Sequence, residues 1–117
     1  MYLVSSCLAG VNCRYDGSNS ENKYIAKLVK EGKAIVLCPE QLAGLSTPRP
    51  SCEIIIDENS NKRVISKDGK DLTENFIEGA EKTLGIIKAA GIRRQYYSPE
   101  VLHVAVGSYM MENFQEN

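Results

Sequence analysis

The chain has 117 residues, a length that fits one domain built around one hydrophobic core. It is 43% hydrophobic and 25% charged, and its net charge of −1 gives no electrostatic reason to expect nucleic acid or an anionic membrane as a partner. No apolar run approaches the roughly 20 residues of a membrane span and no signal peptide is visible, so we expect a cytoplasmic protein.

The N-terminal third has the pattern of a strand–helix–strand unit. Residues 2–6 form a short apolar run and residues 34–38 form another that Pro39 stops, which predicts two buried parallel strands. Residues 21–31 predict a helix that Gly32 ends, because apolar side chains recur at helical spacing: Tyr24, Ile25, Leu28 and Val29. A right-handed crossover would bring the carboxyl ends of both strands to one edge, where open α/β sheets bind ligands.

The middle of the chain predicts a rigid loop followed by a β-hairpin. Residues 41–50 contain two prolines and a glycine, which favours an irregular connection. Residues 53–57 and 63–66 have the composition of two strands, and the turn-rich residues 58–62 join them. We therefore predict an α/β fold: a single domain with a small, mostly parallel sheet, flanking helices and a β-hairpin.

A long helix and an irregular tail follow the hairpin. The segment Asp71-Leu-Thr73 can cap the helix, which ends at Gly91, and its apolar stripe consists of Phe76, Ile77, Ala80, Leu84, Ile86 and Ile87. Residues 95–100 predict a loop and residues 101–106 a strand, while residues 108–117 have no clear pattern.

The four cysteines are the candidate chemical groups. In the cytoplasm they should be reduced, which favours a metal or catalytic use over disulfides. Cys7 and Cys13 flank a glycine in the segment CLAGVNCRYDG, a loop that suits a metal or an iron–sulfur cluster; the alternative, equally weighted at this point, is two small buried hydrophobes. We expect Cys38 to be buried and structural, and we do not expect Cys52 to be a ligand.

Several segments in order resemble a known family. They are the segment at residues 7–17, CPE at 38–40 with Gly-Leu four residues later, TPRP at 47–50, and DGKDLT at 68–73 followed by a phenylalanine and a Gly-Ala pair. In this order they resemble the thiouracil desulfurases, a small bacterial family long labelled a domain of unknown function. The resemblance runs from residue 3 to about residue 94.

The resemblance implies an iron–sulfur chemistry. Members of the family hold a [4Fe-4S] cluster with three cysteines, and the fourth iron stays open to take sulfur from a thiocarbonyl substrate, as soft sulfur ligands and iron favour. Two of those cysteines correspond to Cys7 and Cys13. The acid–base group of the family corresponds to Glu40, which composition alone would leave as an exposed loop carboxylate.

Five further residues are candidates for binding the substrate. Arg14 and Arg49 could hold a carbonyl or a phosphate with forked donors, or each could pair with Asp16 or another acid and fix its loop. Tyr15 could stack on a heteroaromatic base or belong to the core. Thr47 could donate to the backbone or to the substrate.

The sequence departs from the family after the long helix. The third cluster cysteine should lie in a Ser-Pro-Ser-Cys-Gly-Ser-Gly segment, but no cysteine follows Cys52. When the codons for residues 109–116 are read from their third base, the two methionines force Asp-Gly and Phe-Ser becomes available, as in the usual family ending Ile-Tyr-Asp-Gly-x-Phe-Ser-Gly. We infer one deleted base near Arg94, so that residues 1–94 are an incomplete desulfurase-like domain and residues 95–117 an out-of-frame tail that packs poorly.

Two functions follow from these patterns. The leading hypothesis is iron–sulfur-dependent desulfuration of thiolated nucleobases or nucleosides, impaired in this chain because two thiolates hold a cluster weakly and nothing has selected His103 as a replacement ligand. The alternative is a non-catalytic protein whose thiols bind a metal, or whose crevice binds a small molecule. The spacing of the cysteines argues against structural zinc, which commonly uses four ligands at short gaps.

Overall fold

The computed structural model describes residues 1–97, and a three-stranded parallel sheet organises them. The central strand β1 (Tyr2–Ser5) lies between β2 (Ala34–Leu37) and β5 (Arg94–Tyr96). Both neighbours run parallel to β1, with Tyr2 opposite Ala34 on one side and Arg94 on the other. The predicted parallel pairing of the first two strands is confirmed.

Helices cover both faces of this sheet. Neighbouring residues of β1 point to opposite sides, so Leu3 and Val4 pack against different helices. Leu3 packs in a cluster with α3 (Thr73–Ala90), whose contributing side chains are Phe76, Ala80 and Ile87. Val4 packs in a second cluster with α1 (Lys23–Lys30) through Ile25 and Leu28. Leu3 and Val4 are completely buried, and each such side chain contributes roughly 1.5–3 kcal/mol to folding.

The helix α1 is shorter and its apolar stripe narrower than the sequence predicts. The side chain of Asn22 accepts hydrogen bonds from the N–H groups of Tyr24 and Ile25, so the helix begins after Asn22 rather than at residue 21. Tyr24 is 62% exposed, because the face of α1 that packs on the sheet consists of Ile25 and Leu28, with Val29 partly buried beside them. In α3 the predicted stripe is likewise wrong at Ile77, which is exposed, while Thr83 is buried.

The hairpin forms as predicted, and a short helix precedes it. The strands β3 (Cys52–Ile56) and β4 (Lys62–Ser66) pair antiparallel, with Cys52 opposite Ser66. The predicted loop at 41–50 begins later than expected, because residues 41 and 42 belong to α2 (Pro39–Leu42). Proline is well suited to the first helical position, where its missing N–H is not needed.

The end of the described chain differs from the sequence prediction. Residues 95 and 96 form part of β5 instead of a loop, and the Tyr96 ring lies 5.6 Å from the Tyr2 ring between ring centroids. Aromatic residues favour strands, and pairing here satisfies the second edge of β1. The predicted strand at 101–106, the unpatterned residues 108–117 and His103 lie outside the described residues. Within residues 1–97, no helix has the length and apolarity that crossing a membrane requires.

Candidate functional site

The first thiol lies just beyond the carboxyl end of the central strand. A 3-10 turn, Ser6–Ala9, follows β1 directly and carries Cys7. Gly10 ends this turn with φ of 94°, and its N–H donates to the carbonyl of Cys7 at 3.2 Å. Residues with a Cβ rarely adopt this φ, so the tight turn around Cys7 favours glycine there.

Three thiols meet at this edge of the sheet. Cys7, Cys13 and Cys38 are each no more than 3% exposed and form a cluster of their own beside Leu8. Cys38 follows β2, the parallel neighbour of β1, and its S–H donates weakly to the carbonyl of Cys13 at 4.0 Å. Its predicted burial is confirmed, and the topology of the two strands explains why it reaches the other thiols.

Burial controls the protonation of the central thiol. Desolvation, together with the neighbouring thiols of Cys38 and Cys7, raises the pKa of Cys13 to about 12, while the positive charge of Arg49 acts in the opposite direction. Cys13 is therefore a neutral thiol near pH 7. Any metal that binds it has to displace the proton.

Glu40 is buried at the start of α2. Glu40 is 2% exposed, so it is not the exposed loop carboxylate that composition alone suggests. The helix α2 approaches α3 closely at Gly79, where an added Cβ would lie 2.4 Å from the carbonyl oxygen of Pro39. Close packing of the two helices thus fixes the backbone beside Glu40.

Arg49 joins Glu40 to the Cys13 segment. Its Nε and Nη2 donate to the two carboxylate oxygens of Glu40 at 3.4 and 2.9 Å, and Nη2 also donates to the carbonyl of Cys13 at 3.1 Å. Nη1 donates to the carbonyl of Ser46 at 3.2 Å and to the hydroxyl of Thr47 at 3.0 Å. Both partners of the ion pair are buried, so water screens it little.

The remaining predicted binding residues lie in the same loops with different surroundings. Arg14 is half-buried, and its Nη1 donates to the hydroxyl of Ser20 at 2.6 Å. Tyr15 is 37% exposed, and its carbonyl accepts from the backbone N–H of Arg49 at 2.8 Å. Asp16 is exposed; hydrogen bonds from the hydroxyl and the N–H of Ser18 lower the pKa of its carboxyl.

A cavity of about 270 Å³ adjoins this region. It lies between the loop after α2 and the hairpin, and its lining includes Arg49, Cys52, Ser66 and Lys70 but not Cys7, Cys13 or Glu40. Cys52 is half-buried; desolvation and then the charge of Glu40 raise the pKa of its thiol, although the charge of Arg49 lowers it. The cavity is large enough for a planar heterocycle and borders the Glu40–Arg49 pair.

The donor set fits a soft metal centre only in part. Cys7 and Cys13 are soft sulfur donors shielded from water, as iron–sulfur clusters require. Although Cys7, Cys13 and Cys38 pack together, no group of three His, Cys, Asp or Glu side chains within residues 1–97 is arranged to hold a metal ion. A complete three-cysteine ligand set is therefore not formed by this part of the chain.

Comparisons with known proteins agree with the geometry. The family model described as 2-thiouracil desulfurase matches residues 2–99. The uncharacterized protein YbbK of Bacillus subtilis (strain 168) is 47% identical over 93 residues, which are 75% of this chain and 62% of that protein. The solved structure of the [4Fe-4S]-dependent thiouracil desulfidase TudS is 40% identical with a TM-score of 0.69, covering 80% of this chain and 60% of that one. The chain thus spans about three fifths of the length of these relatives.

Proposed function

Because this chain belongs to the 2-thiouracil desulfurase family, we propose that its chemistry is the iron–sulfur-dependent removal of sulfur from thiolated nucleobases or nucleosides. The observation that carries the proposal is the burial of Cys7, Cys13 and Glu40 at one edge of the sheet, with one guanidinium contacting both the Glu40 carboxylate and the Cys13 carbonyl. This brings soft ligands and an acid–base group to the same place.

Cys7 and Cys13 would be two of the ligands of a [4Fe-4S] cluster. When bound, such a cluster supplies an iron with affinity for the sulfur of a thiocarbonyl. The protein contributes a dry environment, because both thiols are 1% exposed. Cys7 lies in the turn that Gly10 ends and Cys13 follows that turn, so both thiols stay near the end of β1, where ligands of parallel sheets bind.

Glu40 would move protons during the exchange of sulfur for oxygen. The positive charge of Arg49 stabilises the anionic carboxylate, so Glu40 starts as a proton acceptor. It can take a proton from the water that attacks the ring carbon and return a proton to the ring nitrogen. Burial strengthens these electrostatic effects, because the local dielectric is low.

The loop at 13–18 would contact the heterocycle. Tyr15 is partly exposed and would stack on the base, and Arg14 and Asp16 lie beside it in a turn closed by the N–H of Gly17 donating to the carbonyl of Arg14 at 2.8 Å. Thr47 lies two residues before Arg49, and its hydroxyl accepts a hydrogen bond from that guanidinium. The substrate class is a small thiolated base or nucleoside.

We further propose that this chain is impaired. The family uses three cysteines, and no cysteine follows Cys52 in the sequence. A deleted base near Arg94 accounts for the loss, since the shifted frame restores Asp-Gly and a cysteine segment together. On this proposal residues 1–94 are the desulfurase-like part and residues 95–117 are read out of frame.

The proposal is tested by anaerobic reconstitution with iron and sulfide. We expect the chain to take up iron well below four atoms per molecule, with a broad absorption at roughly 400 nm typical of thiolate-bound iron–sulfur centres. Cys7→Ser and Cys13→Ser should each abolish this absorption. Cys52→Ser is the matched control and should leave it unchanged, because Cys52 lies outside the thiol cluster.

Two outcomes would contradict the proposal. Uptake of zinc instead of iron would favour the non-catalytic metal-binding protein. Absence of any metal, together with binding of a small heterocycle in the 270 Å³ cavity, would favour a small-molecule-binding protein.

A further inference from the structure

We propose that Arg49 is the positioning residue of this site: it fastens the Glu40 carboxylate to the backbone of the Cys13 segment, and it does not bind the substrate. The inference rests on the proposed function for the role of Glu40. It goes beyond that function by giving Arg49, a candidate for holding a substrate carbonyl or phosphate, a different task.

The number of N–H donors on the Arg49 side chain limits what this residue can bind. A guanidinium has five N–H groups and no acceptor. The five hydrogen bonds of the Arg49 side chain reach two oxygens of Glu40, the carbonyls of Cys13 and Ser46, and the hydroxyl of Thr47. Every N–H is therefore used inside the protein. A substrate could recruit Arg49 only by breaking one of these buried bonds.

Arg49 holds the Cys13 segment at two points. Its side chain donates to the carbonyl of Cys13, and its backbone N–H donates to the carbonyl of Tyr15 at 2.8 Å. Two alternate carbonyls of one segment are thus bound by one residue. Because the same guanidinium also binds both oxygens of Glu40, the distance between the carboxylate and the thiol segment is fixed by a single rigid plane.

Binding all the partners of Arg49 at once requires a planar group with several donors. The guanidinium is surrounded by Glu40, Cys13, Ser46 and Thr47. A planar guanidinium can donate to all four residues, whereas an ammonium group, which acts as a point charge, cannot. Lysine has three donors on a flexible stem. Arg49→Lys should therefore keep the charge next to Glu40 but lose part of the contact with the backbone of the Cys13 segment.

The test measures hydrogen exchange of the backbone amides of Cys13, Arg14 and Gly17, relative to amides inside α3 of the same molecule. Arg49→Gln should speed exchange of the three amides by about tenfold or more, the scale of one lost charge-assisted hydrogen bond. Glu40→Gln should leave them near the wild-type rate, because the bond from Arg49 to the Cys13 carbonyl persists. Arg63→Gln is the matched control, since its guanidinium is half-exposed and pairs with Asp57.

A single variant leaves one buried charge unpaired and can unfold for that reason. The double variant Glu40→Gln with Arg49→Gln then tests the role of Arg49. It removes both charges and should still speed exchange in the Cys13 segment alone. A measurement on the unaltered protein complements it: the nitrogen resonances of the Arg49 side chain should stay unchanged when 2-thiouracil is added, although those of the Cys13 segment shift.

Equal exchange in the double variant and the wild type would overturn the proposal, and so would a perturbation of the Arg49 side-chain resonances by 2-thiouracil. Loosening of the Cys13 segment by Glu40→Gln alone would also overturn it. Failure of the proposed function has a different signature, namely no iron uptake and no sulfide release by any variant. The exchange rates report on Arg49 in either case, because they require neither cluster nor turnover.

Discussion

The site depends on a few polar residues whose hydrogen bonds join α2, the loop after α2 and the Cys13 segment. Thr47 illustrates this at the scale of one side chain. Its hydroxyl accepts from Arg49 Nη1 at 3.0 Å and from Gln41 Nε2 at 3.1 Å, so it connects the loop after α2 to α2 itself. These contacts favour the interpretation that Thr47 supports the guanidinium over the alternative that it binds the substrate.

We predict that Thr47→Val destabilises the protein by about 1–3 kcal/mol, because a donor of the buried charged Arg49 loses its acceptor. Thr47→Ser keeps the hydroxyl and should change the free energy of unfolding by less than about 0.5 kcal/mol, the usual range for substitutions that remove no such feature. Urea unfolding monitored by circular dichroism measures both. Equal stabilities of the two variants would show that the hydroxyl is not needed by Arg49.

At the scale of elements, α2 is the piece that places Glu40. Sequence reasoning recovers the two parallel strands, the helix between them, the hairpin and the long helix, because apolar periodicity and Gly or Pro boundaries mark each one. It does not predict the four residues of α2, which are too few to have a period. Nor does it reveal the burial of Glu40, because a carboxylate becomes buried only through a partner distant in sequence, here Arg49.

The same limit applies to the three thiols. The sequence predicts that the loops after the two parallel strands meet at one edge, which needs only topology, but it places Cys38 inside its strand and not beside the other thiols. Their mutual contact depends on how the turn at Gly10 and the loop to Cys13 fold back, which is a tertiary property. The exposure of Tyr24 and Ile77 is not predicted for the same reason, since the elements that pack on a helix determine which residues of its apolar stripe are buried.

The packing of α2 on α3 provides a prediction with an internal control. Gly79→Ala should destabilise the protein by about 1–3 kcal/mol, because the new Cβ would lie 2.4 Å from the Pro39 carbonyl oxygen and 3.0 Å from the Cβ of Ala43. Gly85→Ala, in the same helix, meets nothing within 4 Å and should stabilise by about 0.5–1 kcal/mol, since alanine favours helices. Thermal unfolding of both variants measures the difference.

A second readout shows whether the displaced helix is the one that carries Glu40. In Gly79→Ala, exchange of the Leu42 and Ala43 amides should accelerate, because these amides donate to the carbonyls of Cys38 and Pro39. Exchange in the hairpin should stay unchanged. A Gly79→Ala protein as stable as Gly85→Ala would mean that the two helices can separate slightly without loss.

At the scale of the whole molecule, residues 1–97 bring the three clustered thiols, Glu40 and Arg49 together at one edge of the sheet. The strand β5 is less well matched: all three of its residues, Arg94, Gln95 and Tyr96, are exposed, whereas strands of parallel sheets are usually apolar. Tyr97 does pack against the core, and desolvation raises the pKa of its hydroxyl. The polar β5 supports the proposal that the reading frame changes near Arg94.

Restoring one base near codon 94 should therefore restore metal binding and turnover together. It would add a third cysteine and replace the polar residues of β5, and three thiolates hold a [4Fe-4S] cluster better than two. We expect near-full iron content and sulfide release from 2-thiouracil or 4-thiouracil in the restored chain alone, when both chains are reconstituted without oxygen. Glu40→Gln in the restored chain should keep the iron and lose turnover, because the role proposed for Glu40 is to move protons and not to bind iron. A full cluster and equal sulfide release in the unaltered chain would refute the missing-ligand argument, and absence of iron from both chains would refute the proposed cluster chemistry itself.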